Sequence, residues 1–339
     1  MDEQGNLKIL SAVLHILDNS VLIPILSTKE IEHQEEIYNF LENHIIKTLN
    51  SDDIKNGAFT DSETNITYNL LKGISNDNFI GVSEDLANNL FSIMKKNPNI
   101  PPADVIFTYY EYENSKHIAI MKFNYKLSYI HYVLNTEEGT VNNLIRQTTT
   151  LPGDNQKLDE CILVNLSTFD IKLIEKEYEI NETKDYYLSS QFLNCNFDLS
   201  NNEKFKILSK VTKKVNKKYF DDDFDKTMKF QNVLSESIKD TNNIEIEDLA
   251  KKVFKDNYEI QHEYINEIKK EGLNNNTVDL QQSKKISKKL ESHKFKTDNG
   301  IEINLPLAYY NNKDLVEFIN NPDGTISIII KNINKIINK

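Results

Sequence analysis

The stretch Val105-Ile106-Phe107-Thr108-Tyr109-Tyr110 decides the fold together with the stretch His117-Ile118-Ala119-Ile120-Met121-Lys122-Phe123. Both are rich in β-branched and aromatic residues, which favour strands. The turn Glu113-Asn114-Ser115 separates them, and so short a connection joins strands that run in opposite directions. The two stretches therefore predict the centre of an antiparallel sheet.

Strands and helices are predicted on both sides of this pair. Apolar residues alternate over 10–16 and return over 21–26 after the turn Asp18-Asn19-Ser20, which predicts a hairpin. Pro24 places the returning strand at a sheet edge, because proline cannot donate a ladder hydrogen bond. We therefore expect residues 1–195 to form an acidic α+β domain with an antiparallel sheet and helices. Periodicity further predicts helices over 37–49, 62–73 and 84–96, and strands over 128–134, 161–166 and 172–180.

The rest of the chain divides into a helical part and a β-rich part. Residues 196–280 are predicted to be a helical region. Residues 281–339 are predicted to form a small β-hairpin region, since Asp298-Asn299-Gly300 and Asn321-Pro322-Asp323-Gly324 are turn signals. The fold class is therefore α+β, with an N-terminal antiparallel sheet and helices, a central helical region and a small C-terminal β-hairpin region.

The net charge is distributed unevenly along the chain. The 339 residues include 40 Lys and Arg against 52 Asp and Glu, for a net charge of −12. Residues 1–203 carry −16, residues 204–218 carry +7, residues 219–283 carry −7 and residues 284–339 carry +4. A uniformly basic DNA-coating protein is therefore excluded, whereas a local phosphate-binding surface is not.

The central helix is predicted to present two different faces. Phe205, Leu208, Val211, Val215 and Tyr219 recur three or four residues apart, so at about 100° per residue they share one face. Lysines cover the opposite face, and phosphate binding needs such a cluster because released counterions drive the association. The candidate nucleic-acid-binding residues are Lys206, Lys210, Lys213, Lys214 and Lys217, with a second cluster at Lys284, Lys285, Lys288 and Lys289.

The kind of DNA contact follows from the shortage of arginine. Arg146 is the only arginine in the chain. Lysine reproduces poorly the two-pronged hydrogen bonding by which arginine reads guanine, so we expect contacts to the phosphate backbone with little sequence selectivity. The alternative interpretation is a solvated amphipathic face whose charge is offset by the acidic residues Asp221-Asp222-Asp223-Phe224-Asp225.

Two acidic patterns raise other chemistries. The cluster 221–225 offers oxygen ligands to a divalent cation, but it lacks the glycine and the terminal glutamate of an EF-hand, so a solvated helix end is the favoured interpretation. Pro152-Gly153-Asp154 followed by Asp170-Ile171-Lys172 has the residue types of a metal-dependent nuclease, in a short and loosely spaced pattern. The sequence contains no glycine-rich phosphate loop and no GxSxG motif. We therefore expect neither an enzymatic activity nor a cofactor or metal.

Cysteine content and apolar runs indicate the compartment. Two cysteines, Cys161 and Cys195, exclude a disulfide framework and fit a reducing compartment. The start Met1-Asp2-Glu3-Gln4 is acidic and polar, unlike a signal peptide. No apolar run approaches the ~18 residues of a membrane span, so no membrane contact is expected.

Four stretches, in collinear order, carry a family resemblance. They are Lys8 to Asp18, Pro102 to Phe123, Lys210 to Phe220, and Gly300 to Ile328. Together they resemble bacterial nucleoid-associated proteins of the NdpA/YejK family over nearly the full length. The resemblance implies a cytoplasmic protein that associates with the nucleoid and has no known enzymatic activity, and it brings no catalytic residues to this chain.

These observations lead to a main hypothesis and an alternative. The main hypothesis is a non-enzymatic nucleoid-associated protein that binds the DNA phosphate backbone. The alternative is an interaction adaptor whose acidic N-terminal half docks a basic DNA-handling enzyme, so that the association with the nucleoid is indirect. A homodimer is a further candidate assembly.

Overall fold

The structure, a computed structural model, divides into two compact units, Met1–Asp198 (unit 1) and Leu199–Lys339 (unit 2). The predicted three-part division at residues 195 and 280 stays a prediction. The acidic start of the chain and Asp222 lie outside the described residues. Those residues are 7–59, 63–154, 156–180, 182–221, 223–240, 243–255, 257–279, 283–310 and 312–335.

Unit 1 contains strands, helices and one π-helical segment, Leu188–Leu193. Its strands are β1 (Lys8–Leu17), β2 (Ile25–Leu26), β3 (Lys55–Ala58), β4 (Ala103–Tyr112), β5 (Ser115–Asn124), β6 (Lys126–Thr136), β7 (Gly139–Thr150), β8 (Glu160–Asn165), β9 (Asp170–Ile174), β10 (Tyr178–Ile180) and β11 (Thr183–Asp185). Its helices are α1 (Glu35–Leu49), α2 (Ile66–Lys72) and α3 (Phe79–Lys96).

The main sheet of unit 1 is antiparallel, in the strand order β2-β1-β4-β5-β8-β9-β3. The two stretches that decide the fold pair as β4 and β5, with Ile106 opposite Met121 and Tyr110 opposite His117. β2 is an edge strand, in agreement with Pro24. The predicted fold class, α+β with an N-terminal antiparallel sheet, is confirmed.

Helices cover both faces of this sheet. Val13 and Phe107 pack in one apolar cluster with residues of α2 and α3. Ala12 and Ile106, their neighbours in sequence, point to the other face and pack with Leu41 of α1. Because both faces are buried, β4 and β5 consist of nearly continuous apolar runs.

One part of the sheet prediction is wrong. The predicted strand 128–134 is present as β6, but it pairs with β7 in a separate two-stranded ribbon. β7 occupies a segment between the predicted strands 128–134 and 161–166, for which no strand was predicted. Its apolar residues Val141, Leu144 and Ile145 are exposed, so they carry no burial signal that distinguishes a strand from a loop.

Unit 2 is helical in its first part and forms β-hairpins in its last part. Its helices are α4 (Asn201–Phe220), α5 (Phe224–Asp240), α6 (Ile246–Phe254), α7 (Tyr258–Lys270), α8 (Lys284–Leu290) and α9 (Leu307–Tyr310). Its strands are β12 (Asn243–Glu245), β13 (Thr277–Asp279), β14 (Ser292–Lys296), β15 (Glu302–Pro306), β16 (Val316–Asn320) and β17 (Ile326–Ile330).

Two small cores hold unit 2 together. Leu208 of α4, Leu234 of α5 and Leu249 of α6 belong to one apolar cluster. The predicted hairpins are confirmed as β14–β15 and β16–β17, and Phe295 and Phe318 from these hairpins contact Phe224 of α5. None of the helices that the structure describes combines the length and the apolar character that crossing a bilayer requires.

Candidate nucleic-acid interface

Helix α4 positions the first lysine cluster. It begins with a capping box, in which Ser200 Oγ accepts from Glu203 N at 3.2 Å and Glu203 Oε2 accepts from Ser200 N at 2.8 Å. Leu208, Val211 and Val215 are buried, which turns the lysines outward. Tyr219, at the end of the same predicted face, is 41% exposed.

Three of the seven lysines of α4 are paired with acids. Lys210 Nζ donates to Glu271 Oε2 at 2.7 Å, Lys214 Nζ donates to Glu267, and Lys218 Nζ donates to Glu263 Oε1 at 2.7 Å. From one pair to the next, the number of the lysine on α4 rises by four and the number of its glutamate partner falls by four. Helices α4 and α7 therefore run antiparallel. We call these three pairs the ion-pair ladder.

The ladder shifts the pKa values of Glu267 and Lys214. Hydrogen bonds from Lys214 and Lys270 lower the pKa of Glu267 to about 2. The hydrogen bond to Glu267 in turn raises the pKa of Lys214. Both groups are therefore fully charged near neutral pH, and the positive charge of this row is offset locally by acids.

Three further lysines of α4 form an unpaired row. Lys206, Lys213 and Lys217 are exposed, and within the described part of the chain no carboxylate lies within ion-pair distance of them. At about 100° per residue they fall within about 40° of one another around the helix axis. The ladder row is centred about 80° away on the same helix. The predicted lysine face is thus two rows with different surroundings.

The second cluster lines a groove in unit 2. Lys285, Lys288 and Lys289 of α8 and Lys294 of β14 border an open groove of about 990 Å³. Ser283 caps the N-terminus of helix α8, where its Oγ accepts from Ile286 N at 3.0 Å. Buried Ile286 and Leu290 orient the lysines of α8 outward. The side chain of Lys284 lies outside the described residues. The apolar part of the groove is formed by Phe205, Leu290 and Pro306.

The groove has a strong excess of positive charge. Glu291 is the acid that the groove contains, against four lysines. In the described ranges, none of these four lysines has a carboxylate within ion-pair distance. On β14, the strand that carries Lys294, an ion pair joins Lys296 to Glu302 of β15 at 3.7 Å. We call the four lysines the groove lysines.

The groove and the unpaired row adjoin each other. Ser209 of α4 lines the groove, and around the helix axis it lies about 40° from Lys213 and about 60° from Lys206. The ladder lies on the far side of the unpaired row. The structure therefore brings part of the first predicted cluster together with the second one.

The acidic cluster after α4 has capping roles. Asp221 ends α4 in the left-handed conformation, with φ of 52°, and Asp223 Oδ1 accepts from Lys226 N at 2.9 Å at the start of α5. The side chain of Asp225 lies outside the described residues. Across the residues that the structure describes, no group of three or more His, Cys, Asp or Glu side chains is arranged to hold a metal ion.

The nuclease-like pattern is not assembled. In the antiparallel pair β8–β9, Cys161 faces Ile174 and Val164 faces Ile171. Asp154 precedes the N-terminal end of β8, whereas Asp170, the first residue of β9, lies near the C-terminal end of β8. The length of β8 therefore separates the two acids. Asp170 Oδ2 instead accepts from Thr168 Oγ1 at 2.6 Å.

A comparison with known families identifies the chain. The family model described as nucleoid-associated protein YejK matches residues 13–338, which covers both units. The chain belongs to the YejK family of nucleoid-associated proteins. The resemblance noted from the sequence is thereby confirmed, and a nucleoid-associated role follows from membership in the YejK family. Among curated proteins, none matches this chain.

Two features of this YejK-family chain were not predicted from its sequence. The acids that pair with α4 come from a helix about fifty residues further on, and their spacing, Glu263, Glu267 and Glu271, is visible only once α7 is set beside α4. The groove combines α4, α8 and β14, so its lysines are far apart in sequence from Phe205. The four-residue spacing of the three glutamates, which matches that of Lys210, Lys214 and Lys218, is the sequence signal that could have found the ladder.

Proposed function

We propose that this YejK-family protein associates with the nucleoid by binding the DNA phosphate backbone directly through the groove lysines and the unpaired row of α4. One observation carries the proposal: Lys285, Lys288, Lys289 and Lys294 share a groove in which they outnumber its acid four to one. Lysines without acid partners can neutralise DNA phosphates and so release the counterions condensed on the DNA, which drives the association.

The proposal refines the set of lysines predicted from the sequence. Lys206, Lys213 and Lys217 add to the groove lysines, because they are exposed, unpaired and adjacent to the groove. Lys210 and Lys214 contribute less, since Glu271 and Glu267 already neutralise them. With one arginine in the chain, the contacts are to phosphate and discriminate weakly between sequences.

The test compares two variants with the same change of charge. The groove variant carries Lys285→Gln, Lys288→Gln and Lys289→Gln, and the ladder variant carries Lys210→Gln, Lys214→Gln and Lys218→Gln. Fluorescence anisotropy with AT-rich and GC-rich duplexes is measured over a range of salt concentrations. For the groove variant, we expect the slope of log K against log [salt] to fall by about 2–3 on both duplexes.

The ladder variant is a stringent control. It leaves Glu263, Glu267 and Glu271 without their α4 partners, so a purely long-range effect of charge weakens DNA binding at least as much as in the groove variant. We expect the ladder variant to lose clearly less. Equal losses in both variants contradict contact at the groove, and an unchanged groove variant contradicts the whole assignment.

We also propose that the chain is non-enzymatic and acts in the cytoplasm on nucleoid DNA. The support is that strand register separates Asp154 from Asp170, the acids of the nuclease-like pattern. Incubation of the purified protein with supercoiled plasmid and Mg²⁺ or Mn²⁺ is expected to leave the plasmid intact. Nicking that co-purifies with the protein contradicts this proposal.

A second candidate function rests on the charge of unit 1. Residues 1–198 carry 30 Asp and Glu against 15 Lys and Arg, which suits a surface that steers onto a basic DNA-handling protein. Carbodiimide cross-linking, which joins carboxylates to lysines, then links acids of unit 1 to that partner in cells. If purified protein fails to bind DNA at low salt and these cross-links form, the adaptor replaces direct binding.

A further inference from the structure

The ribbon formed by β6 and β7 (the ribbon, residues 126–150) exposes an unusual amount of apolar surface. Every residue from Tyr129 to Arg146 is exposed. An isolated two-stranded ribbon is marginally stable in water, and a contiguous apolar surface of this size marks an interaction site. Nine large apolar side chains of the ribbon are 38 to 67% exposed: Leu127, Tyr129, Ile130, Tyr132, Val133, Leu134, Val141, Leu144 and Ile145.

Five of the nine apolar side chains share one face of the ribbon. Ile130 lies directly opposite Ile145, and Leu134 lies directly opposite Val141. Tyr132 lies between these pairs on the same face, because side chains alternate along a strand. The other face is more polar, with Tyr129 opposite Arg146 and Val133 opposite Asn142.

We propose that the ribbon is a self-association arm, which packs its apolar face against the same face of a second copy of this chain. At about 100 Å² each, the five apolar side chains of this face offer about 500 Å² per copy, so two copies together bury about 1,000 Å², the size of a small, reversible interface. A two-fold axis that passes near Tyr132 brings the two apolar faces together.

Charge complementarity identifies the second copy as the occupant. The ribbon has two acids at its tip, Glu137 and Glu138, and two cations near its base, Lys126 and Arg146, so its net charge is zero. When two ribbons pack face to face and run in opposite directions, the tip of each lies near the base of the other. DNA is disfavoured, because the tip is acidic and the ribbon carries only these two cations.

The first experiment measures the mass of the full-length protein in solution. Sedimentation velocity is expected to give a dimer, twice the 39.4 kDa of the chain. The variant Ile130→Glu/Leu134→Glu is expected to raise the dimer dissociation constant at least tenfold, without a change in the circular dichroism spectrum. The control, Ile301→Glu/Ile326→Glu, alters residues that are 56% and 55% exposed elsewhere, and it is expected to remain dimeric.

The second experiment tests the direction of the two ribbons. Tip and base are about 27 Å apart within one ribbon, so their charges cannot meet inside a single copy. Glu137→Lys/Glu138→Lys is expected to weaken the dimer, and adding Lys126→Glu/Arg146→Glu is expected to restore it. A monomeric wild-type protein, a dimer unaffected by Ile130→Glu/Leu134→Glu, or a failure of this rescue overturns the proposal. A ribbon variant that loses DNA binding at unchanged mass overturns it as well.

Discussion

Unit 1 buries an ion pair between β5 and β8, whereas the lysines that pair with acids between α4 and α7 of unit 2 are exposed. In unit 1, Lys122 Nζ donates to Glu160 Oε2 at 2.7 Å, with both side chains at most 2% exposed. In unit 2, the lysines of the ladder are 54 to 64% exposed. A buried pair fixes structure because neither partner can turn to water, while an exposed lysine can exchange its partner for a phosphate.

The buried pair belongs to a network in which every oxygen of Glu160 is used. Glu160 Oε2 also accepts from Asn124 Nδ2 and Tyr178 Oη, both at 3.0 Å, and Oε1 accepts from Tyr187 Oη at 2.5 Å. Burial lowers the pKa of Lys122, and Glu160 opposes this shift. The network links β5 and β8 of the main sheet to Tyr178 of β10 and to Tyr187. It therefore holds the segment that follows β9 against the middle of the sheet.

Removing the charge of Glu160 is expected to have the largest effect. Glu160→Gln leaves the Lys122 ammonium without an ionic partner in the interior, and the free energy of unfolding of unit 1 is expected to fall by about 3–5 kcal/mol. Urea denaturation followed by circular dichroism measures the loss. The matched control is Glu247→Gln, which breaks an exposed contact to Lys251 at 3.9 Å. Equal effects of the two variants contradict the contrast between the units.

Acid is expected to act on unit 1 through His15. Ser27 N donates to His15 Nδ1 at 3.1 Å, so the ring proton is on Nε2, which donates to Ser83 Oγ at 2.9 Å. Burial lowers the pKa of His15 from 6.5 to about 4. The unfolded chain therefore binds this proton first, and the stabilisation is complete above pH 6.5 and is lost as the pH falls towards 4.

A variant isolates this contribution. One proton changes the free energy of unfolding by at most about 1.4 kcal/mol per pH unit, so the effect is smaller than that of Glu160→Gln. His15→Gln is less stable at pH 7, and the difference from wild type is expected to narrow between pH 6.5 and 5. Calorimetry at a series of pH values measures the difference. A gap that stays constant over this range shows that His15 binds its proton equally in the native and unfolded states, which contradicts a pKa lowered by folding.

The sequence predicted unit 1 better than it predicted the candidate site. The strands that became β4 and β5 are buried on both faces, and burial leaves a strong apolar pattern. The ribbon strand β7 was missed because its apolar residues are exposed. Helix α5 lies within the region 196–280 that was predicted to be helical, and its residues Met228, Leu234 and Ile238 are buried. The lysines were visible, but their pairing depends on which helix packs beside α4, and periodicity carries no such information.

The smallest effects are expected within the lysine face itself, where adjacent residues separate pairing from DNA contact. Lys213 is unpaired, whereas Lys214 donates to Glu267. Lys213→Gln is expected to lower the salt slope of DNA binding by about one, with the same loss on any duplex. Lys214→Gln is expected to change that slope less and to leave the unfolding midpoint nearly unchanged, because Lys270 still donates to Glu267 at 2.8 Å. Anisotropy titrations at several salt concentrations measure both. If the two variants lower the slope equally, the ladder does not withhold its lysines from DNA, and phosphate competes successfully with the acids of α7.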